Sequence, residues 1–126
     1  MKRFFALALL LFAPAFALAQ DPLSGSGWRG YWQSESSRHS GPMRATIQPT
    51  ATGYSVLFAG RFAKVIPFAY RTDLQVTGTS GDTTFLAVAK RLPLVGTFKT
   101  EAVATPTSFD ATFESKKDRG RFVLTR

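Results

Sequence analysis

The sequence predicts an all-β protein, a single eight-stranded antiparallel up-and-down meander closed into a barrel. Three observations predict it. From Gly27 onward, apolar and polar residues alternate with period two almost throughout; turn segments rich in glycine and proline interrupt the alternation at short intervals; and no long stretch carries a helical period.

The first run, Trp28–Ser34, sits in Gly27-Trp28-Arg29-Gly30-Tyr31-Trp32, and on a strand Trp28, Gly30 and Trp32 share one face. A polar loop, Glu35 to Pro42, leads to the second run, Met43–Gln48, which aligns Met43, Ala45 and Ile47. Pro49 to Gly53 turn the chain into the third, Tyr54–Phe62, aligning Tyr54, Val56, Phe58, Gly60 and Phe62. The fourth, Pro67–Thr77, alternates most cleanly: Phe68, Tyr70, Thr72, Leu74 and Val76 stand opposite Arg71, Asp73 and Gln75. Gly78 to Asp82 form a turn before the fifth run, Thr83–Ala89, and the sixth is Leu94–Ala104. Thr105-Pro106-Thr107 leads to the seventh, Ser108–Ser115, with Phe109, Ala111 and Phe113 aligned, and Lys116 to Arg119 turn into the last, Gly120–Arg126.

Short connections favour pairing between neighbours in sequence, and closing the sheet removes its exposed edges. Closure lays the last strand antiparallel beside the first, which brings Trp28 close to Leu124 and Arg126. Trp28, Trp32 and Arg126 are therefore the expected closure residues, with Arg126 covering the indole face of Trp28. Gly30-x-Trp32, Gly27 directly before Trp28, and an arginine from the last strand at position 126 together resemble the calycin barrels, the lipocalin and avidin-like group. The resemblance implies the barrel architecture and transfers no ligand. The inward aromatic set, Trp28, Trp32, Tyr54, Phe58, Phe62, Phe68, Tyr70, Phe85, Phe98, Phe109, Phe113 and Phe122, is interleaved with small Gly30, Ala45, Gly60, Ala87, Gly96 and Ala111. An eight-stranded interior is just wide enough to be filled by side chains, so a filled core is expected.

Residues 1–19 read as a signal peptide: Lys2 and Arg3, an apolar run from Phe4 to Phe12, then Ala17-Leu18-Ala19 as a cleavage site. The apolar run is too short to span a bilayer as a helix. The expected destination is outside the cell or the periplasm. Residues 20–26 read as a flexible leader and 27–126 as the barrel domain. Cleavage would leave 107 of the 126 residues, one domain, and the absence of cysteine means that no disulfide braces it. Without Lys2 and Arg3 the 16 basic residues become 14 against 8 acidic, a charge of +6 that favours anionic partners.

One histidine and no cysteine make a structural zinc site untenable, and no cofactor is expected. Ser36 or Ser40 beside His39 is the only hint of nucleophilic chemistry, without a nucleophile-elbow motif. Asp110 and Glu114 share a strand face about 13 Å apart, beyond either glycosidase spacing. Glu114 is expected between Lys99 and Arg121 as an outer-wall ion pair.

The cations carry the functional reading. In a meander alternate loops share an end, so one rim gathers Arg38, Lys64, Lys90, Arg91, Lys116, Lys117 and Arg119 against Glu35 and Asp118, while the other is nearly neutral. The basic rim also carries Val65-Ile66-Pro67 and Leu92-Pro93-Leu94. Cations beside aliphatics suit an anionic lipid headgroup or an envelope polysaccharide, with peripheral membrane contact. Nucleic acid fits poorly with export and with a rim that lacks stacking aromatics. The expectation is a secreted, monomeric, non-enzymatic binding barrel. The alternatives are a structural envelope protein without a small ligand, and a small barrel enzyme using His39 as base.

Overall fold

In the computed structural model, which describes residues 21–63, 65–92 and 96–126, eight strands form one closed antiparallel barrel. The strands are β1 (Gly25–Ser34), β2 (Ser40–Pro49), β3 (Gly53–Phe62), β4 (Ile66–Ser80), β5 (Thr83–Leu92), β6 (Gly96–Thr105), β7 (Ser108–Glu114) and β8 (Arg119–Thr125). Each pairs with its neighbours in sequence, and β1 closes the ring against β8, with Gly30 opposite Leu124 and Trp32 opposite Phe122. The signal peptide expected at 1–19 lies outside the described residues.

Pairing extends several strands beyond the alternating runs. β2 begins at Ser40 because Pro42, Gly41 and Ser40 still pair with Tyr31, Trp32 and Gln33, although their side chains carry no alternation. Gly30 makes the closing pair possible, since a β-carbon there would sit 1.7 Å from the Val123 carbonyl oxygen.

Alternation fails once on the inner face. Phe85 and Ala87, expected inward, belong to the outer wall: Leu86 is the buried residue, paired with Val76 and Ala102, and Phe85 is 39% exposed. The cause is a bulge in β4. Val76 pairs with Leu86 and Gly78 with Phe85, so Thr77 is the extra residue, and its hydroxyl donates to the Phe85 carbonyl at 3.3 Å. Both faces of β5 are apolar, so local sequence does not choose between them. Val76 is likewise exposed rather than part of the core.

The core fills the barrel from its neutral end. Trp28 is fully buried there, edge-on to Phe109 at 6.1 Å. Phe58 occupies the middle, contacting Phe109 at 6.1 Å and Phe122 at 4.7 Å. Ile47, Val56, Leu74, Leu86 and Leu124 complete the packing.

The leader is docked rather than loose, which corrects the expectation for residues 21–26. Gly25 and Ser26 belong to β1, and Leu23 is buried with its carbonyl accepting the Trp28 indole N–H at 3.1 Å. Asp21 accepts the Leu23 amide through Oδ1 and the Tyr54 hydroxyl through Oδ2, each at 2.9 Å. Arg126 lies over the Trp28 ring, 4.5 Å from its centroid, and donates to the carbonyls of Pro22, Ser24 and Pro106. The expected cover over Trp28 is thus present, and it also fastens the leader as a plug.

Candidate functional site: the barrel mouth

The opposite end is the mouth. The connections β1–β2, β3–β4, β5–β6 and β7–β8 all lie there, as antiparallel order requires. Its interior is an apolar cup of about 320 Å³ lined by Trp32, Phe62, Phe68, Tyr70, Phe98, Phe113 and Phe122, with Asp118 as the polar member. The aromatic residues expected to fill the barrel do so only at the closed end and middle, and at the mouth they form walls.

Cross-strand pairing explains the open space. Trp32 is opposite Gly41, Phe68 opposite Gly60, and Phe113 opposite Gly120. A β-carbon on Gly41 would stand 2.9 Å from Trp32 Nε1, on Gly60 2.9 Å from Phe68 Cζ, and on Gly120 2.6 Å from Phe113 Cζ. Each ring therefore lies down over the glycine beside it, leaving the centre of the mouth clear. Trp32, placed by sequence among the closure residues, does sit on the closing pair. Its ring, however, serves the cup, stacking on Phe62 at 6.0 Å and meeting Phe68 edge-on at 5.9 Å, while its indole N–H donates to the Arg61 carbonyl at 3.1 Å.

The wall continues as a chain of ring contacts. Phe122 stacks on Phe113 at 5.1 Å, Phe113 on Phe98 at 6.0 Å, and Phe98 meets Tyr70 edge-on at 5.9 Å. Asp118 is held in place, accepting the hydroxyl of buried Ser34 at 2.6 Å, while its backbone closes the β7–β8 turn with Ser115. Below the rim, on β6, Thr100 is fully buried between Val88 and Phe113, and its hydroxyl is the one buried side-chain polar atom among the described residues without a hydrogen-bond partner.

Around this cup stand the predicted cations. Arg38, Lys90, Arg91, Lys116, Lys117 and Arg119 are all exposed at the mouth; Lys64, Pro93 and Leu94 lie outside the described residues. Arg38 takes a left-handed backbone, φ 64°, in the β1–β2 turn. Lys116 lays its aliphatic stem over Gly96. Arg119 pairs with Glu114 across β7–β8 at 3.9 Å, the only ion pair among the described residues. The residue opposite Glu114 on β8 is therefore Arg119, and Arg121 instead faces Thr112; Lys99 is opposite Glu114 on β6, as expected. The apolar component of the rim is genuinely exposed: Val65 is 75% and Ile66 55% accessible.

His39 packs edge-on against Phe62 at 4.9 Å. Its side chain makes no hydrogen bond to Ser36, Ser40 or any other described residue. No three histidine or carboxylate residues among those described stand close enough together to hold a metal ion. Sequence reasoning missed the cup itself; its signal was the glycine opposite each aromatic, which is readable only once the register is known.

Comparison of the chain with protein families, with curated proteins and with solved structures finds no match to any of them.

Proposed function

We propose that this protein is an exported, monomeric, non-enzymatic binding barrel whose mouth holds an amphiphilic anion, the apolar part in the aromatic cup and the acidic group among the rim cations. The observation that carries the proposal is the coincidence, at one end of the barrel, of an open apolar cup of about 320 Å³ with Arg38, Lys90, Arg91, Lys116 and Lys117. That volume falls at the lower end of small-molecule pockets, about 300–1,000 Å³. Exposed Val65 and Ile66 beside the cup suit contact with an anionic lipid surface, from which such a molecule would be taken.

An anionic polysaccharide would use the rim cations without needing the cup. A purely structural envelope protein would need neither. The test is titration with dodecanoate and with anionic vesicles, read by tryptophan fluorescence and by retention. Joint replacement of Lys90, Arg91, Lys116 and Lys117 by glutamate should abolish binding of both. Unchanged retention, or the absence of dodecanoate binding by the native chain, would defeat the proposal.

A further inference from the structure

The barrel ring is closed, but its β4–β5 ladder is short. It runs from Ser80 opposite Thr83 to Gln75 opposite Ala87 and stops there. Toward the mouth, β4 continues from Leu74 to Ile66 paired only with β3, and β5 continues from Val88 to Leu92 paired only with β6. A seam is thus left between the two strands. Behind it Tyr70 of β4 reaches Phe98 of β6, two strands that are not neighbours, so the aromatic cup backs directly onto the seam.

The register also sets a charge conflict within the unpaired stretch. Continued from Gln75 opposite Ala87, it would set Arg71 directly opposite Arg91 on the outer face and Thr72 opposite Lys90 on the inner one. Like charges directly opposite one another destabilise a strand pair. Neither arginine has an ion-pair partner among the described residues. Arg71 instead turns toward β3 and donates to the Ser55 hydroxyl at 3.1 Å, and Asp73, the next residue on that face of β4, forms no ion pair among the described residues.

The opposite wall of the cup carries a carboxylate. Asp118, the carboxylate lining the cup, sits in the β7–β8 turn among the exposed Lys116, Lys117 and Arg119, and in a ring ordered β1 to β8 the β8–β1 pair lies across the barrel from β4–β5. Inside the cup an acidic group is therefore disfavoured against Asp118 itself, and the seam is the wall farthest from it.

We infer that the β4–β5 seam is the seat of the ligand's anionic group, a carboxylate or phosphate bridging Arg71 and Arg91 with Lys90 beside it, while the apolar tail passes inward to Tyr70 and Phe98. The inference rests on the proposed reading of the mouth and narrows it to one sector. Filling the seam with an anion neutralises the repulsion between the two arginines, so binding should also draw β4 and β5 together.

The experiment compares dodecanoate with dodecanol, which has the same tail without charge, on the native chain and on Arg71→Gln, Arg91→Gln and the double variant. Both arginines are on the outer wall, and circular dichroism checks that each variant is folded. Dodecanoate should bind the native chain more tightly than dodecanol, and the double variant should lose about ten- to a hundredfold of dodecanoate affinity with dodecanol unchanged. Amide exchange at 69–73 and 88–91 should slow with dodecanoate and not with dodecanol. Equal affinity for the two probes, or dodecanoate binding indifferent to both substitutions, overturns the seam while leaving the cup in place. Failure of both probes to bind the native chain removes the reading of the mouth and the seam with it.

Discussion

Replacing Trp28 with alanine tests how the barrel is closed. The indole is fully buried, its N–H donates to the Leu23 carbonyl, its edge meets Phe109 and its face carries Arg126. A large aromatic buries roughly 150–250 Å², which at about 25 cal/mol per Å² corresponds to about 4–6 kcal/mol. The methyl left behind retains part of that, giving an expected loss of about 3–5 kcal/mol, in line with aromatic-to-alanine changes in other cores. For a domain of this size the midpoint of thermal unfolding should fall by at least about 12 °C. Urea unfolding followed by fluorescence is the assay, because the chain has two tryptophans and Trp32 becomes the sole reporter in the variant. Trp28→Phe serves as the intermediate case, keeping a ring against Phe109 but stranding the Leu23 carbonyl, at a cost of about 1–3 kcal/mol. A loss below about 1 kcal/mol for Trp28→Ala would refute the argument that this end of the barrel is locked through the indole. Dodecanoate binding by whatever remains folded should be unaffected, because Trp28 is not among the residues lining the cup.

Two further stability predictions follow from particular hydroxyls. Thr100→Val removes a buried, unpartnered hydroxyl and should raise stability by about 1 kcal/mol in urea unfolding; a loss would show that the hydroxyl has a partner. The Tyr54 hydroxyl is pushed up to about 12, first by burial and then by its hydrogen bond to Asp21 and the charge of that carboxylate. Its ordinary value is about 10, so between about pH 10 and 12 the unfolded chain gives up this proton while the folded chain keeps it. The contribution is fully present below pH 10 and is lost as pH rises through that window. Unfolding midpoints measured from pH 9 to 12 should fall less steeply for Tyr54→Phe than for the native chain, and parallel curves would contradict the assignment.

Much of the fold was legible because most strands have one apolar and one polar face. β4 states its parity outright, and Gly30 between Trp28 and Trp32 fixes that of β1. Legibility failed at β5, where Leu86 and Val88 compete with Phe85 and Ala87 and a bulge one strand away decides. It failed at the leader too, since a single leucine in a glycine- and serine-rich segment has no period to betray its burial. The rim cations could be placed from topology alone, because antiparallel order assigns every loop to an end. The cup and the seam could not. Each depends on which residue stands opposite which, glycine against ring or arginine against arginine, and register is a property of two strands at once.

The rings lying on Gly41, Gly60 and Gly120 make the mouth a room whose furniture is bolted to the walls. Ring and backbone are in contact, so each ring's tilt is set before any ligand arrives, and little side-chain freedom remains to be lost on binding. The same three positions are closed to any larger residue. A methyl group at any one of them would meet not only a ring but a carbonyl oxygen of another strand, that of Arg61, Pro42 or Gln33, so the backbone holds the shape of the room as firmly as the rings do.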